Sequence, residues 1–303
     1  MKRILITGEN SYVGNSFEKW VEESGKDYVI DKISLKGISW EKHDFSKYDV
    51  IFHVAGIAHA DVSKVSKETK ALYYRVNCDL AIKTAKKYKE DLNGKVGQFI
   101  YMSSIIVYGL ETNLTKKRII TSETEPNPSN FYGDSKLKAE QKLQPLGNKN
   151  FKIVVLRPPM IYGKKSKGNF PVLIQLANRL PFFPAIKNER SMLFMGNLCV
   201  YLKQIIEKQS SGIFFPQNNE YVSTTEMVRL IAKAQNKKIH ITRYFNWLIK
   251  LLSFFPGRIG NLVNKAFGSL IYEHSKVNAE FFDFEDTIVR SIGDEHLWKK
   301  RKY

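Results

Sequence analysis

Short, largely apolar runs punctuate the first half of the chain. They fall at residues 3–7, 28–33, 49–54, 96–102 and 153–156. Runs of that length read as strands buried in a sheet. Between them the pattern changes to a helical period, over about 15–23 and, most clearly, over 71–90, an amphipathic stretch with Asn77 in its first half. Strand and helix alternating at this rhythm predict an α/β fold: a parallel sheet with right-handed crossovers and ligands over the carboxyl ends of its strands. Beyond Gly163 the rhythm is lost. Gly168-Asn169-Phe170 opens a helix to about Arg179, a Pro-containing PFFPAI follows, and 190–198 leads into another helix. Several helices are expected over 221–272, with an apolar, aromatic face at 245–255. That face either packs within its own lobe or touches a membrane surface. No internal repeat or low-complexity linker interrupts the chain.

The first strand runs into Gly8-Glu9-Asn10-Ser11-Tyr12-Val13-Gly14 and then a helix. Strand, tight glycine turn and helix make a phosphate cradle, because backbone N–H groups and the helix N-terminus face the anion and glycine lets it come close. Ser11 stands where a second glycine is usual; it is small and can itself donate to a phosphate. At the end of the second strand an acid would bind the ribose hydroxyls of NAD, whereas a cation would suit the 2′-phosphate of NADP. A gapless count from the glycine loop selects Lys32, and a one-residue slip selects Asp31. Asp44, followed by Phe45, could accept from an adenine amine or cap a helix. Val54-Ala55-Gly56 are small enough to let a ribose and nicotinamide lie against the backbone. His53 and His59 have no Cys or Glu at ligand spacing, so no metal site is expected.

The stretch from Ser103 to Lys136 carries the candidate chemistry. Tyr132 and Lys136 are four apart, so a helix would put both on one face. An ammonium there is expected to lower the phenol's pKa for acid/base work near neutral pH. Ser104, just past an apolar strand, can hydrogen-bond a substrate oxygen. Such a trio moves the proton of an alcohol or ketone while a nicotinamide handles the hydride.

Charge adds one element. With 48 Lys and Arg against 30 Asp and Glu, the net charge is +18. This balance either spreads over solvated helix faces or attracts an anion such as a diphosphate or an acidic membrane. No finger spacing or stacking motif accompanies it, so nucleic acid is not an expected partner. Two cysteines are too few for a disulfide framework, and the run after Lys2-Arg3 stops at Thr7-Gly8, so neither oxidised export nor a signal peptide is expected. A cytoplasmic protein, at most at the inner face of the membrane through weak peripheral association, is the resulting expectation.

Taken in order, the glycine loop, HVAG, Asn77, SSIIVYG, YGDSK and LRPPMIYG resemble the extended short-chain dehydrogenase/reductases, the nucleotide-sugar epimerases, dehydratases and reductases. The resemblance implies a Rossmann-type parallel sheet with helices on both faces over residues 1–163, with a return segment near 194–216, and a smaller C-terminal substrate lobe over 164–303. It implies Ser104 as polariser, Tyr132 as acid/base, and Lys136 lowering the tyrosine's pKa while holding the nicotinamide ribose. Ser103 and Pro158 fall with the cofactor-binding residues, and His59, Ile105 and Ile106 with the substrate. Asn169 and Arg190 match motifs that face a UDP moiety, although any single arginine can equally be a surface ion pair. A homodimer through helices of the Rossmann lobe is also implied.

The dehydratases of this family carry Asp-Glu directly after the catalytic Ser or Thr. Here Ile105-Ile106 cannot transfer protons, which leaves a 4-ketoreductase or a 4-epimerase. Lys32 favours NADPH over NADH and so reduction. LRPPMIYG with KGNF, ERSMLFMGNL and AFGSLIYEHSKV also look like bacterial reductases that act on UDP-2-acetamido-2,6-dideoxy-4-hexulose for capsule and O-antigen assembly. An NAD-dependent epimerase of a UDP-sugar or a lipid-diphosphate-linked sugar is the alternative, and a binding-only member is disfavoured by the intact trio.

Overall fold

Strands that are apolar along their whole length occupy the middle of one sheet. The structure, a computed structural model, describes residues 1–25, 28–58, 65–109, 111–273 and 280–293. In chain order the elements begin β1 (Lys2–Thr7), α1 (Tyr12–Ser24), β2 (Tyr28–Ile33), β3 (Val50–His53), α2 (Lys67–Tyr74), α3 (Leu80–Leu92) and β4 (Gly97–Met102). There follow β5 (Arg118–Ile120), α4 (Phe131–Leu143), β6 (Phe151–Leu156), β7 (Met160–Tyr162), α5 (Asn169–Arg179), β8 (Phe182–Pro184) and β9 (Met192–Phe194). Then come α6 (Met195–Glu207), β10 (Gly212–Phe214), α7 (Thr224–Ala234), β11 (His240–Thr242), α8 (Asn246–Ser253), α9 (Arg258–Phe267), β12 (Leu270–Tyr272) and α10 (Phe284–Ile292).

The chain divides into two compact units. The described residues of 1–109, 126–158 and 201–216 form unit 1, and those of 111–125, 159–200 and 217–293 form unit 2. The division falls elsewhere than expected: residues 111–125 group with unit 2, and the return to unit 1 comes at 201 rather than near 194. Unit 1 holds a six-stranded sheet in the order β10-β6-β4-β3-β1-β2, parallel at every pairing. The central strands β3 and β4 are buried almost throughout, whereas β2, at the edge, has no fully buried residue. Helices cover both faces. On one, Ala81, Ala85 and Tyr88 of α3 and Ala139 and Leu143 of α4 pack on Ile51, Phe99 and Val155. On the other, Phe17 of α1 meets Phe52 edge-on, and the C-terminal end of α6 receives Lys2 and Gln98 at the carbonyl of Ile205 or Ile206.

From β1 the chain goes to β2 on one side and to β3 on the other. The order of strands therefore reverses between β1 and β3, and ligands of open α/β sheets bind at the carboxyl end of such a point. The glycine loop follows β1 there, and Val54-Ala55-Gly56 follows β3.

Unit 2 contains three two-stranded parallel pairs, β7-β9, β8-β11 and β5-β12, and most of the remaining helices. Its core joins Tyr162, Phe170, Phe194, Met227, Ile231 and Ile288. Asn218 ties that core together: its Oδ1 accepts from Phe194 N and from Asn197 Nδ2, both at 2.9 Å, and its Nδ2 donates to the Tyr162 hydroxyl. No helix among the described residues is long and apolar enough to cross a membrane.

The single helix expected over 71–90 is instead α2 and α3 joined by a π-helical turn, Arg75–Asp79. Ser66 starts it earlier than expected by accepting from Thr69 N at 3.2 Å, as an N-cap does. A π turn inserts an extra residue and is frequent at functional sites. Here it carries Asn77, whose carbonyl receives the Tyr101 hydroxyl at 2.8 Å.

Candidate active site

Helix α4 is built to approach the end of β4. Asn130 caps it, accepting from Gly133 N at 3.0 Å. Ser104 follows β4 and caps a 3₁₀ turn, Ile105–Tyr108, through Ile106 N at 3.3 Å. The helix and this turn touch at Gly133, where an added Cβ would lie 2.7 Å from the Ile106 carbonyl and 2.9 Å from Pro128 Cβ. Only glycine allows that approach, and the Tyr132 phenol stands near enough to Ser104 for the serine to pull its pKa down. Gly133→Ala is accordingly expected to cost about 1–3 kcal/mol through overpacking. Turnover should fall with it because Tyr132 is pushed off Ser104, while cofactor affinity changes little. Paired thermal melts and steady-state kinetics check this; unchanged kinetics would contradict the contact's role.

Lys136 lies one turn on, buried, and its ammonium donates to the Met102 carbonyl at 2.8 Å and sits 4.7 Å from the centre of the Tyr101 ring. Against the expectation from the four-residue spacing, the phenol lies above its ordinary value: burial pushes Tyr132 up to about 12, the neighbouring Tyr73 adds to the rise, and Ser104 pulls it down. The ammonium's own hydrogen bond goes to the β4 carbonyl and not to the phenol. Burial also pulls Lys136 down to about 8, against an upward pull from Glu140.

Glu140 extends the same helix face by another turn, and the spacing rule that found Tyr132 and Lys136 would have found it too. It is fully buried and accepts from Arg157, Nε at 3.0 Å and Nη2 at 2.5 Å, and from the Ser103 hydroxyl. Arg157 Nη1 donates to the Tyr108 hydroxyl at 2.5 Å. These four side chains hold both flanks of Ser104, since Ser103 precedes it and Tyr108 ends its turn. Pro158 closes the same corner, its carbonyl accepting from Ile105 N at 2.9 Å. Ile105 and Ile106 are buried and apolar.

The residues present fit a dinucleotide. Gly8 has φ +89°, and a Cβ there would lie 2.9 Å from Ala55 Cα. A Cβ on Gly14 would lie 2.7 Å from Ile6 Cγ2, so glycine is what lets α1 pack on β1. Ser11, in place of the usual glycine, is the N-cap of α1, its Oγ accepting from Gly14 N at 3.4 Å. Asn10, Tyr12 and Val13 complete the loop and the first turn behind it. Gly56 is exposed beside Lys136 and Asn77, with a Cβ there 3.3 Å from Nζ and 3.1 Å from Oδ1. Asn77 itself is committed: its Oδ1 accepts from Ile57 N at 2.8 Å, and its Nδ2 donates to Ile57 O and Ser135 Oγ. It clasps the loop after β3 to α4 and so positions Gly56 and Lys136.

Strand alternation separates the two candidates at the end of β2. The β1–β2 register is unbroken, so Asp31 and Lys32 face opposite sides. Asp31 is paired with Arg3 at 2.9 Å, and against the upward push of burial Tyr48 and Arg3 together hold its carboxyl below the usual range. Lys32 reaches α1, at 2.6 Å from Glu18 and 3.3 Å from Asn15 Oδ1 in its first turn. Lys32 is thus the one of the two that stands on the α1 side of the sheet. Asp44 neither caps a helix nor stands idle; it accepts from Ser46 N at 2.8 Å in a turn. Phe45 belongs to the core, and its N–H is taken by Asp91 at 2.8 Å. His53 is buried, held neutral down to about 3 by burial and by the charge of Lys136, with Nδ1 3.0 Å from the Thr7 hydroxyl. Among the described residues no cluster of metal-ligating groups occurs.

In unit 2, Asn169 is the exposed first residue of α5. Arg190 is not a surface ion pair: its guanidinium caps the end of α9, donating to the carbonyls of Lys265 and Ala266. His59 and the HSKV end of the last motif lie outside the described residues.

The sequence model of the RmlD substrate binding domain matches residues 1–243. The chain belongs to the RmlD family. Within curated proteins it is 29% identical to a UDP-glucose 4-epimerase of Vibrio cholerae, over 89% of this chain and 86% of that one. Among solved structures, a dTDP-4-dehydrorhamnose reductase of Bacillus anthracis in complex with NADP superposes with a TM-score of 0.67 at 19% identity, covering 96% of this chain and 98% of the other. A UDP-glucuronic acid 4-epimerase of Bacillus cereus in complex with NAD gives the same TM-score at 16% identity, covering 96% and 95%. Reductases and epimerases thus both stand beside this RmlD-family chain, on one α/β fold.

Proposed function

We propose that the protein is a nucleotide-sugar 4-ketoreductase, using NADPH in preference to NADH, that reduces the C4 ketone of a UDP-2-acetamido-2,6-dideoxy-4-hexulose for capsule or O-antigen synthesis. The observation that carries the reading over an epimerase is Lys32, which stands on the α1 side of β2, 2.6 Å from Glu18 and 3.3 Å from Asn15 in the first turn after the glycine loop, where a cation suits the 2′-phosphate of NADPH. Ile105 and Ile106, next in the chain after Ser104, offer no group for elimination of water.

A bound nicotinamide would supply the hydride. Ser104 would orient the ketone oxygen, and Tyr132 would give that oxygen its proton. Lys136, protonated below about pH 8, would keep a positive charge behind the phenol as it becomes a phenolate. Gly8, Ser11 and Gly14 would admit the pyrophosphate at the N-terminus of α1, and Lys32 would meet a 2′-phosphate in competition with Glu18. Asn169 and Arg190 are assigned to the UDP moiety in this reading.

Titrating cofactor-free protein with NADPH and NADH tests it. Wild type should prefer NADPH, and Lys32→Asp should lose that preference by about tenfold, the worth of one phosphate ion pair of ~1.4 kcal/mol. Equal affinities in wild type would refute the role of Lys32. A 4-epimerase is the second reading, favoured by the likeness to the Vibrio enzyme; it predicts NAD retained through gel filtration.

A further inference from the structure

Helix α8 is apolar on two sides. Ile249 and Leu252 pack on the core of unit 2. Trp247, Leu248 and Leu251, with Phe254 and Phe255 just beyond the helix, are exposed, Trp247 by 68% and Phe254 by 65%. Their spacing of i, i+1, i+4, i+7 and i+8 puts them along one stripe. Helix α9 adds Ile259 and Leu262, also exposed and three apart. An apolar surface this continuous is uncommon on a soluble protein that uses it for nothing.

Along the chain the charge of this stretch is of one sign. Between Glu226 and Glu273 the sequence has eight Lys or Arg and no Asp or Glu. Arg243, Lys250 and Arg258, on or next to the two helices, are exposed. A second copy of the same face would bring like charges together, which disfavours self-association through it. An anionic surface that also accepts aromatic and aliphatic side chains removes both the exposed apolar area and the charge excess. Neither helix can span a bilayer, so the contact lies in the headgroup plane.

From this exposed Trp247–Leu251–Phe255 stripe and the exposed Arg243, Lys250 and Arg258 on and beside its helices, we infer that the α8–α9 hairpin docks the protein on the surface of bilayers containing anionic phospholipid. The hairpin belongs to unit 2 and the Ser104–Tyr132 pair to unit 1, and the inference does not depend on which reaction that pair performs.

Full-length protein is sedimented with vesicles of phosphatidylcholine alone or mixed with phosphatidylglycerol, at low and high salt. Binding is expected only to the mixed vesicles, with release at high salt as screening removes the attraction. Tryptophan emission should shift to the blue on binding, because Trp247 is exposed whereas Trp20 and Trp40 are buried. Lys250→Glu with Arg258→Glu should reduce partitioning by at least about tenfold. Trp247→Ser with Phe254→Ser should abolish the blue shift and the binding without lowering the melting temperature, since these side chains are outside the core. Absence of binding by wild type at low salt, or equal binding to both vesicles, would overturn the inference. So would a lipid-free dimer that either pair of substitutions converts to monomer.

Discussion

Tyr132→Phe should lower turnover by about 10²–10⁴-fold, the usual worth of a positioned general acid. Cofactor affinity should be nearly unchanged, because the substitution removes one oxygen and leaves the ring on Tyr73, 6.0 Å away edge-on. The oxygen it removes is the one whose pKa Ser104 lowers. Ser104→Ala should therefore cost less than Tyr132→Phe, and the double variant little more than Tyr132→Phe alone, since the hydroxyl acts on the same proton. Steady-state kinetics with cofactor titrations decide the matter. Near-normal turnover in Tyr132→Phe would remove the phenol from the chemistry.

The second large effect belongs to Glu140. Glu140→Ala leaves the Arg157 guanidinium buried without its carboxylate, and breaking one side of such a pair costs about 3–5 kcal/mol. Replacing both members, Glu140→Leu with Arg157→Met, should recover much of that stability, because two apolar side chains leave no stranded charge. Activity should not recover with it, since Ser103 and Tyr108 lose the partners that hold the flanks of Ser104. Glu140→Gln adds a readout that a purely structural role would not move. The carboxylate raises the pKa of Lys136, which burial has lowered to about 8. Losing that charge should move the alkaline limb of the rate profile to lower pH.

The same lysine has a sign in stability. Its folded pKa of about 8 lies below the usual 10.5, so between these values the unfolded chain binds more protons and stability rises with pH. The burial penalty is fully present below pH 8. Chemical denaturation across that window in wild type and in Lys136→Met separates this contribution from the rest; a variant with the same rise would show that another group is responsible.

Much of unit 1 was legible in the chain. Buried strands in a parallel sheet are apolar throughout, so β1, β3, β4 and β6 stood out as runs, and the glycine loop and the Tyr132–Lys136 spacing sat between them. What stayed hidden depends on contacts between distant residues or on one-residue details. The π turn at Asn77 was not legible because a change in hydrogen-bond partner from i−4 to i−5 over one turn is a backbone detail that the apolar pattern of the flanking helices does not report. The choice between Asp31 and Lys32 rests on strand alternation, in which one residue changes the face completely. Glu140 and Arg157 are 17 residues apart and meet because α4 returns over β6. Lys136 has the spacing to reach Tyr132, yet the open carbonyl at the end of β4 takes its ammonium, and nothing in a sequence periodicity reports that.

Reduction and epimerisation differ in what becomes of the cofactor. The most direct measurement mixes the purified protein with the UDP-4-keto sugar and NADPH deuterated at the transferable position, and follows NADP+ and the sugar product together. The 4-ketoreductase assignment predicts one NADP+ formed for each sugar reduced, deuterium at C4 of the product, and loss of both in Tyr132→Phe. Interconversion of C4-epimeric UDP-sugars with no net oxidation of NADPH, carried out by NAD that stays with the protein, would contradict it.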